Sequence, residues 1–220
     1  MHPFGVVIAN KHEDIIQPLL SSIHALIPQP HPPIILVADN HDRSYGFTRI
    51  SYQDKWFIFS KAVNKGIGHL DDKDVILVND DVTLLNYDFF NRLAAIAHSD
   101  PRIGILSPLV MGCVGGVVQR WHERGSQWMP SMKIREVGDE SPVCFPCVFL
   151  RRGMLYHTGL LDESFIKYGG EDIDLCTRAR KHLWKTSVTQ ELVVQHGDGG
   201  VELGEGRGKT WSLSYARRML

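Results

Sequence analysis

The chain is predicted to fold as an α/β protein with a mostly parallel sheet covered by helices on both faces. Three observations predict it. Short apolar runs without alternation, Phe4-Gly-Val-Val-Ile-Ala-Asn10 and Ile34-Ile-Leu-Val-Ala38 among them, have the make-up of strands buried on both sides. Amphipathic stretches with helical spacing fall between those runs, as in repeated strand–helix units. The runs also end in polar residues, at Asn10, at Asp39-Asn40 and at Asn79-Asp80-Asp81. Sheets of this kind hold ligands at the carboxyl ends of their strands.

The elements follow in order. His12 to Leu26 carries Ile15, Ile16, Leu19, Leu20, Ile23 and Leu26 on one helical stripe, with Pro18 in the first turn. Pro28-Gln-Pro-His-Pro-Pro33 is a rigid loop before the second strand. A weaker third strand is predicted at Trp56 to Phe59, then a polar, glycine-containing segment from Lys61 to Asp72, then a strand at Val75 to Val78. A helix from Tyr87 to Ala97 is stopped by Pro101, and Ile103 to Met111 is a strand. Gly112 to Ser141, with Trp121, His122 and Trp128, has the length of a functional excursion over the ligand edge. Val143 to Arg151 is strand-like. Glu171 to His182 is a helix whose Arg178, Arg180 and Lys181 suit the negative end of its dipole. Lys185 to Gln195 holds one or two strands ending at His196. The expected organisation is one catalytic domain over residues 1–198 and a glycine-rich lid or tail over 199–220.

Composition narrows the function. The 220 residues include 24 Lys and Arg against 25 Asp and Glu, a balance that leaves no strong field to attract nucleic acid or anionic lipid. No apolar run approaches the roughly 20 residues that span a bilayer. The opening Met1-His-Pro-Phe-Gly is not of signal-peptide type, so a cytoplasmic location is expected, peripheral to a membrane where a binding partner is held there. Of the four cysteines, Cys144 and Cys147 form a CxxC with no second pair, inside an apolar run. Buried thiols are the better reading.

Two acidic clusters carry the chemistry. Asn79-Asp80-Asp81 closes an apolar strand, and alone is equally a turn former. Hard divalent cations take one or two carboxylates together with substrate phosphates, which such a loop can supply. Gly169-Gly-Glu171-Asp172-Ile-Asp174 opens a helix, where acidic residues also favour the dipole. Its glycines permit close approach of a ligand, and a carboxylate there can accept a proton from a hydroxyl. Asp174, two residues beyond Asp172, points elsewhere and is assigned a structural role. His196, at a strand end before glycines, is a candidate metal ligand.

Set in order, these residues resemble the family 2 glycosyltransferases of the GT-A fold. The matching segments are Val7-Ile-Ala-Asn10, Ala38-Asp39-Asn40, Asn64-Lys-Gly66 and Asn79-Asp80-Asp81. They continue with Val148-Phe-Leu-Arg151, Gly159-Leu-Leu-Asp162-Glu-Ser-Phe165, Glu171-Asp-Ile-Asp-Leu175 with Arg178, and His196. The resemblance implies a GT-A, Rossmann-like fold and a metal-dependent, inverting transfer of sugar. The donor would be a nucleoside-diphosphate sugar, a UDP-sugar foremost, and the acceptor a hydroxyl on a glycan or glycoconjugate. It implies Mn²⁺ or Mg²⁺ on Asp81 and His196, with Asp172 as general base and Glu171 beside it at the acceptor. It places Asp39 on the nucleobase and Asp80 on the ribose or donor sugar, with Asn10 and Asn64 also at the donor. Asn40-His41-Asp42 departs from the family's common Asn-Gly-Ser, and the segment before Asn64 is short, which bears on donor identity.

Two further readings come from other classes. A nucleotide-sugar or glycan-binding module without catalysis would share the site but not turn over a donor. A nucleotidyltransferase would need a glycine-rich basic first loop, which Ala9-Asn-Lys-His12 does not provide. Trp121, Trp128, Trp211 and Tyr215 are either sugar-stacking platforms or core. The glycines from Gly197 to Gly208, followed by Lys209, suit a lid that brings Arg207 or Lys209 to the diphosphate, or else a tail.

Overall fold

A computed structural model describes residues 2–11, 13–39, 42–111, 134–138, 143–166 and 169–197. Strand β1 (Phe4–Asn10) leads through helix α1 (Gln17–Leu26) to β2 (Ile34–Asp39) and β3 (Thr48–Tyr52). Helix α2 (Phe59–Ile67) then returns the chain to β4 (Asp74–Asn79) and a short β5 (Val82–Leu84). Helix α3 (Phe89–His98), β6 (Ile103–Met111), β7 (Ile134–Glu136) and β8 (Cys147–Leu150) follow. The last elements are α4 (Arg152–Thr158), α5 (Glu171–Lys181) and β9 (Lys185–His196).

The strands form one sheet in the order β3-β2-β1-β4-β8-β6-β9-β5, with β7 also on β9. The α/β class is as expected, and the sheet is mixed. Strands β3, β2, β1 and β4 run parallel, as do β6 and β9. Strand β8 runs against both its neighbours, and β9 pairs antiparallel with β5 and β7. The connectivity explains the inversion. After β6 and the short β7, the chain enters β8 at Cys147, opposite Val78 near the end of β4. That point lies at the carboxyl edge of the parallel strands, so β8 descends from it.

Alternating residues of β1 feed two cores. Val6 and Ile8 pack with Leu19, Leu20 and Ile23 of α1 and with Phe89, Phe90 and Leu93 of α3. Val7 and Ala9 pack on the other face with Ala62, Val63 and Ile67 of α2, Met154 and Leu155 of α4, and Leu175, Cys176 and Ala179 of α5. Helices α2, α4 and α5 therefore share one face of the sheet. Pro18 lies in the first turn of α1, where its missing N–H has no helical partner to lose.

The segment predicted as a third strand is corrected. The strand is Thr48–Tyr52, while Trp56 to Phe59 forms a loop and the start of α2. Lys61, Asn64 and Lys65 make the next segment read as polar. The stripe of Phe59, Ala62, Val63 and Ile67 recurs at the helical period, and all four are buried. Besides helix α2, three elements were not foreseen: β5, β7 and α4. Strands β5 and β7 are three residues each, too short for a period to register.

The direction of α5 matters for the site. Its end passes into β9, whose first residue Lys185 donates its N–H to Arg102 O at 2.8 Å, at the opposite edge of the sheet from Asn79. Helix α5 thus descends, and its first residue Glu171 stands towards the carboxyl edge. Helix α2 lies close to the sheet because residue 66 is glycine. A Cβ there would stand 2.5 Å from Val7 Cγ1 and 3.1 Å from Val37 Cγ2. Gly66→Ala is expected to lower the unfolding free energy by about 1–3 kcal/mol through overpacking, measured by urea denaturation. Wild-type stability in this variant would mean that α2 can ride higher without loss.

Candidate active site

Strand β4 ends at the carboxyl edge in Asn79; Asp80 and Asp81 follow it, and the two carboxylates are handled differently. Asp80 is 8% exposed, a costly place for a carboxylate without partners. The end of β1 supplies them: Asn10 Nδ2 donates to Asp80 Oδ2 at 2.8 Å, and the Lys11 N–H donates to the same oxygen at 3.0 Å. Asn10 is itself fully buried, so it orients Asp80.

Asp81 Oδ1 is sealed from solvent and accepts no hydrogen bond among the described residues. His196 Nε2 stands 3.2 Å from that oxygen, within ion-pair range. The tertiary cause is the pairing of β5 with β9, which sets His196 opposite Val82, the residue after Asp81. The Gly197 N–H donating to Asp81 O at 2.9 Å closes the corner. A hard divalent cation fits this donor set. Neighbouring ligands of an ion bound at about 2.1 Å lie roughly 3 Å apart, which is the spacing of this carboxylate oxygen and imidazole nitrogen. No cluster of three or more His, Cys, Asp or Glu suited to a metal occurs among the described residues.

The second acidic cluster opens α5 behind Gly169 and Gly170, both at positive φ (103° and 104°). Glu171 is 5% exposed. Burial pushes its carboxyl up from 4.5 to about 7. The backbone N–H groups of Glu171 and Gly169 oppose the rise, and the charge of Asp172 adds to it. Asp172 is half-buried, and its Oδ1 accepts from the Ile173 N–H at 2.8 Å. Asp174 instead accepts from Arg178 Nε at 2.8 Å, a structural pair one turn along the helix.

The other sequence candidates divide. Asp39 is half-buried at the end of β2, opposite Tyr52 of β3. Trp56, 65% exposed, lies on the loop after β3, whose backbone Tyr52 Oη ties by donating to Trp56 O at 3.2 Å and accepting from the Ile58 N–H at 3.1 Å. The Asn64 amide is engaged by the loop between α4 and α5. Nδ2 donates to Leu161 O at 2.8 Å and to Glu163 Oε1 at 3.0 Å, and Oδ1 accepts from the Leu161 N–H at 3.1 Å. Arg151, far from the carboxyl edge, donates to Ile103 O at 2.6 Å and Ala97 O at 2.7 Å, tying α3 to β6. Cys147 and Cys176 are buried free thiols, both raised by burial and so poor nucleophiles. Arg207, Lys209, Cys113, Trp121, Trp128, Trp211, Tyr215 and the 199–220 segment lie outside the described residues.

The fold has counterparts among solved structures. GalNAc-T7 with UDP, GalNAc and Mn²⁺ superposes with a TM-score of 0.67 at 12% identity, over 89% of this chain and 44% of that one. TarS of S. aureus gives 0.63 at 18% identity, over 88% of this chain and 36% of its own. Its 1–349 fragment with UDP-GlcNAc gives 0.63 at 17% identity, over 90% of this chain and 60% of its own. This chain therefore spans about a third to three-fifths of their lengths. No family model matches the sequence, and no curated protein does. These likenesses show that the chain has the GT-A fold, which is the fold of those glycosyltransferases. Among the described residues no helix is long and apolar enough to cross a membrane.

Glu171 makes a testable contribution to stability. The native carboxyl keeps its proton up to about pH 7, whereas the unfolded chain releases it near 4.5. The native state binds the extra proton between those values, so this part of the stability falls as pH rises through them. Glu171→Gln removes it, and the variant should gain on wild type by on the order of 3 kcal/mol from pH 4 to pH 8. Urea unfolding of both proteins at both pH values measures this. An unchanged difference between them would mean that Glu171 ionises like an exposed glutamate.

Proposed function

We propose that this chain is a metal-dependent, inverting glycosyltransferase that moves a sugar from a nucleoside-diphosphate donor to an acceptor hydroxyl. The observation that carries this reading is Asp81 Oδ1, sealed from solvent, facing His196 Nε2 at 3.2 Å. A UDP-sugar is the favoured donor class and Mn²⁺ the favoured ion, in keeping with the UDP, UDP-GlcNAc and Mn²⁺ of structures with the same fold.

In this reading Asp81 and His196 hold the cation. When bound, it supplies positive charge that offsets the charge growing on the departing nucleoside diphosphate. Asp80, oriented by Asn10 and Lys11, accepts from a hydroxyl of the donor's ribose or sugar. Asp39 hydrogen-bonds the nucleobase, with Trp56 on the neighbouring loop as a surface on which the base can stack. Asp172 takes the acceptor hydroxyl's proton as its oxygen attacks the anomeric carbon from the face opposite the diphosphate. Glu171, holding its proton near neutral pH, keeps a second negative charge away from Asp172. Asp172 then remains the group able to accept.

Asp81→Ala is expected to abolish Mn²⁺-dependent binding of UDP with the fold intact, and His196→Ala to weaken it less. Calorimetry with Mn²⁺ present and absent decides this, and an unchanged metal-dependent affinity removes Asp81 from the site. A thermal-shift panel of nucleotide sugars with Mn²⁺ would select the donor for assay. With that donor, Asp172→Asn should reduce transfer by roughly 10²- to 10⁴-fold while donor affinity stays close to wild type. Tight donor binding with neither transfer nor donor hydrolysis by the wild-type chain would favour a binding module instead.

A further inference from the structure

The acidic start of α5 is held through the loop that joins it to α4. At the near end of that loop Arg178 donates from Nη2 to Leu160 O at 2.9 Å while paired with Asp174. At its centre Asn64, on α2, makes its three hydrogen bonds to Leu161 and Glu163. The turn is closed by the Ser164 N–H donating to Asp162 Oδ1 at 2.9 Å. At the far end Phe165, 9% exposed, packs on Gly170 so closely that a Cβ on the glycine would stand 2.9 Å from the ring. Gly170 is the residue that caps α5.

We infer that Asn64 is a positioning residue for the acidic pair: by fixing Leu161 and Glu163 it seats Phe165 on Gly170, and so sets how α5 presents Glu171 and Asp172. The inference rests on the transferase reading. A primary amide that donates two hydrogen bonds and accepts a third has its plane fixed, which a single bond does not achieve. The partners lie 97 and 99 residues away in sequence, so the tie is tertiary and belongs to neither element's own folding. Helix α2 is anchored on β1 and β2 by the close approach at Gly66. Asn64-Lys-Gly66 thus joins the strands that carry Asn10 and Asp39 to the loop that steers the acidic pair. Contact with a donor would require Asn64 Nδ2 to give up a bond it already makes. A misplacement of about 1 Å, caused far from the reacting atoms, can reduce rate by 10²-fold.

The test uses Asn64→Ala and Asn64→Asp in the full chain, with UDP and Mn²⁺ as the binding probe. The expected result has three parts. UDP–Mn²⁺ affinity stays within about twofold by calorimetry, donor turnover falls roughly 10- to 100-fold, and the ¹³C-carboxyl titration of Glu171, recorded without Mn²⁺, moves down towards the ordinary glutamate range as its burial relaxes. If Asn64→Ala does not fold, Asn64→Asp combined with Glu163→Gln restores one hydrogen bond with donor and acceptor exchanged. That pair should recover part of the titration shift lost in Asn64→Asp alone. Loss of UDP–Mn²⁺ affinity in folded Asn64→Ala would overturn the inference by making Asn64 a donor ligand. A wild-type Glu171 titration in both single variants would overturn it as well. If the wild-type chain turns over no donor, the transferase reading fails on that result, and the titration still decides the role of Asn64.

Discussion

The burial of Asp80 against the end of β1 is the contact on which the rest of the site depends. A carboxylate this far from water needs donors, and Asn10 and Lys11 supply two to one oxygen. Their bonds join the ends of β1 and β4 and fix where the chain must turn. Asp81 then meets His196, and the next three residues form β5. That strand is pinned on one side by the Leu84 N–H donating to Ser22 Oγ of α1 at 3.1 Å, and on the other by pairing with β9. The pairing brings His196 to Asp81. One buried carboxylate thus determines the position of a residue more than a hundred places further along the chain.

The same economy appears on the other side of the sheet. Glycines at 66 and 170 each remove a Cβ where something else must come close, the sheet in one case and the Phe165 ring in the other. Asn64 and Arg178 grip one loop from two helices. The result is an acidic helix start whose position depends on packing as much as on its own residues. Burial is also what separates Glu171 from Asp172 chemically. A glutamate that keeps its proton to about pH 7 adds no second negative charge to the start of α5 below that pH.

Strand β8 runs against both of its neighbours. Arg151, directly after it, secures the edge opposite the candidate site through carbonyls of α3 and β6. Residues that look like one signature in the sequence therefore divide between the two edges of the sheet.

Much was legible in the sequence alone. The buried strands, the acidic triplet at the end of β4 and the helix that opens with Glu171 are written in local pattern, because apolar runs and helical stripes repeat over a few residues. Short edge strands escaped it, since three residues show no period. The polar face of α2 hid its apolar stripe, and Asn64, with no local partner, gave no sign that its amide is bound to Leu161 and Glu163. Nor does sequence order show that Asp81 lies 3.2 Å from His196, or that Glu171 is buried deeply enough to hold a proton to about pH 7. Those facts arise from pairing and burial between distant segments, where the energy of a side chain depends on what surrounds it and not on what precedes it. The sequence by itself determined which residues were available for the chemistry. Only the tertiary structure decided which of them meet, which are sealed from water, and which hold the others in place.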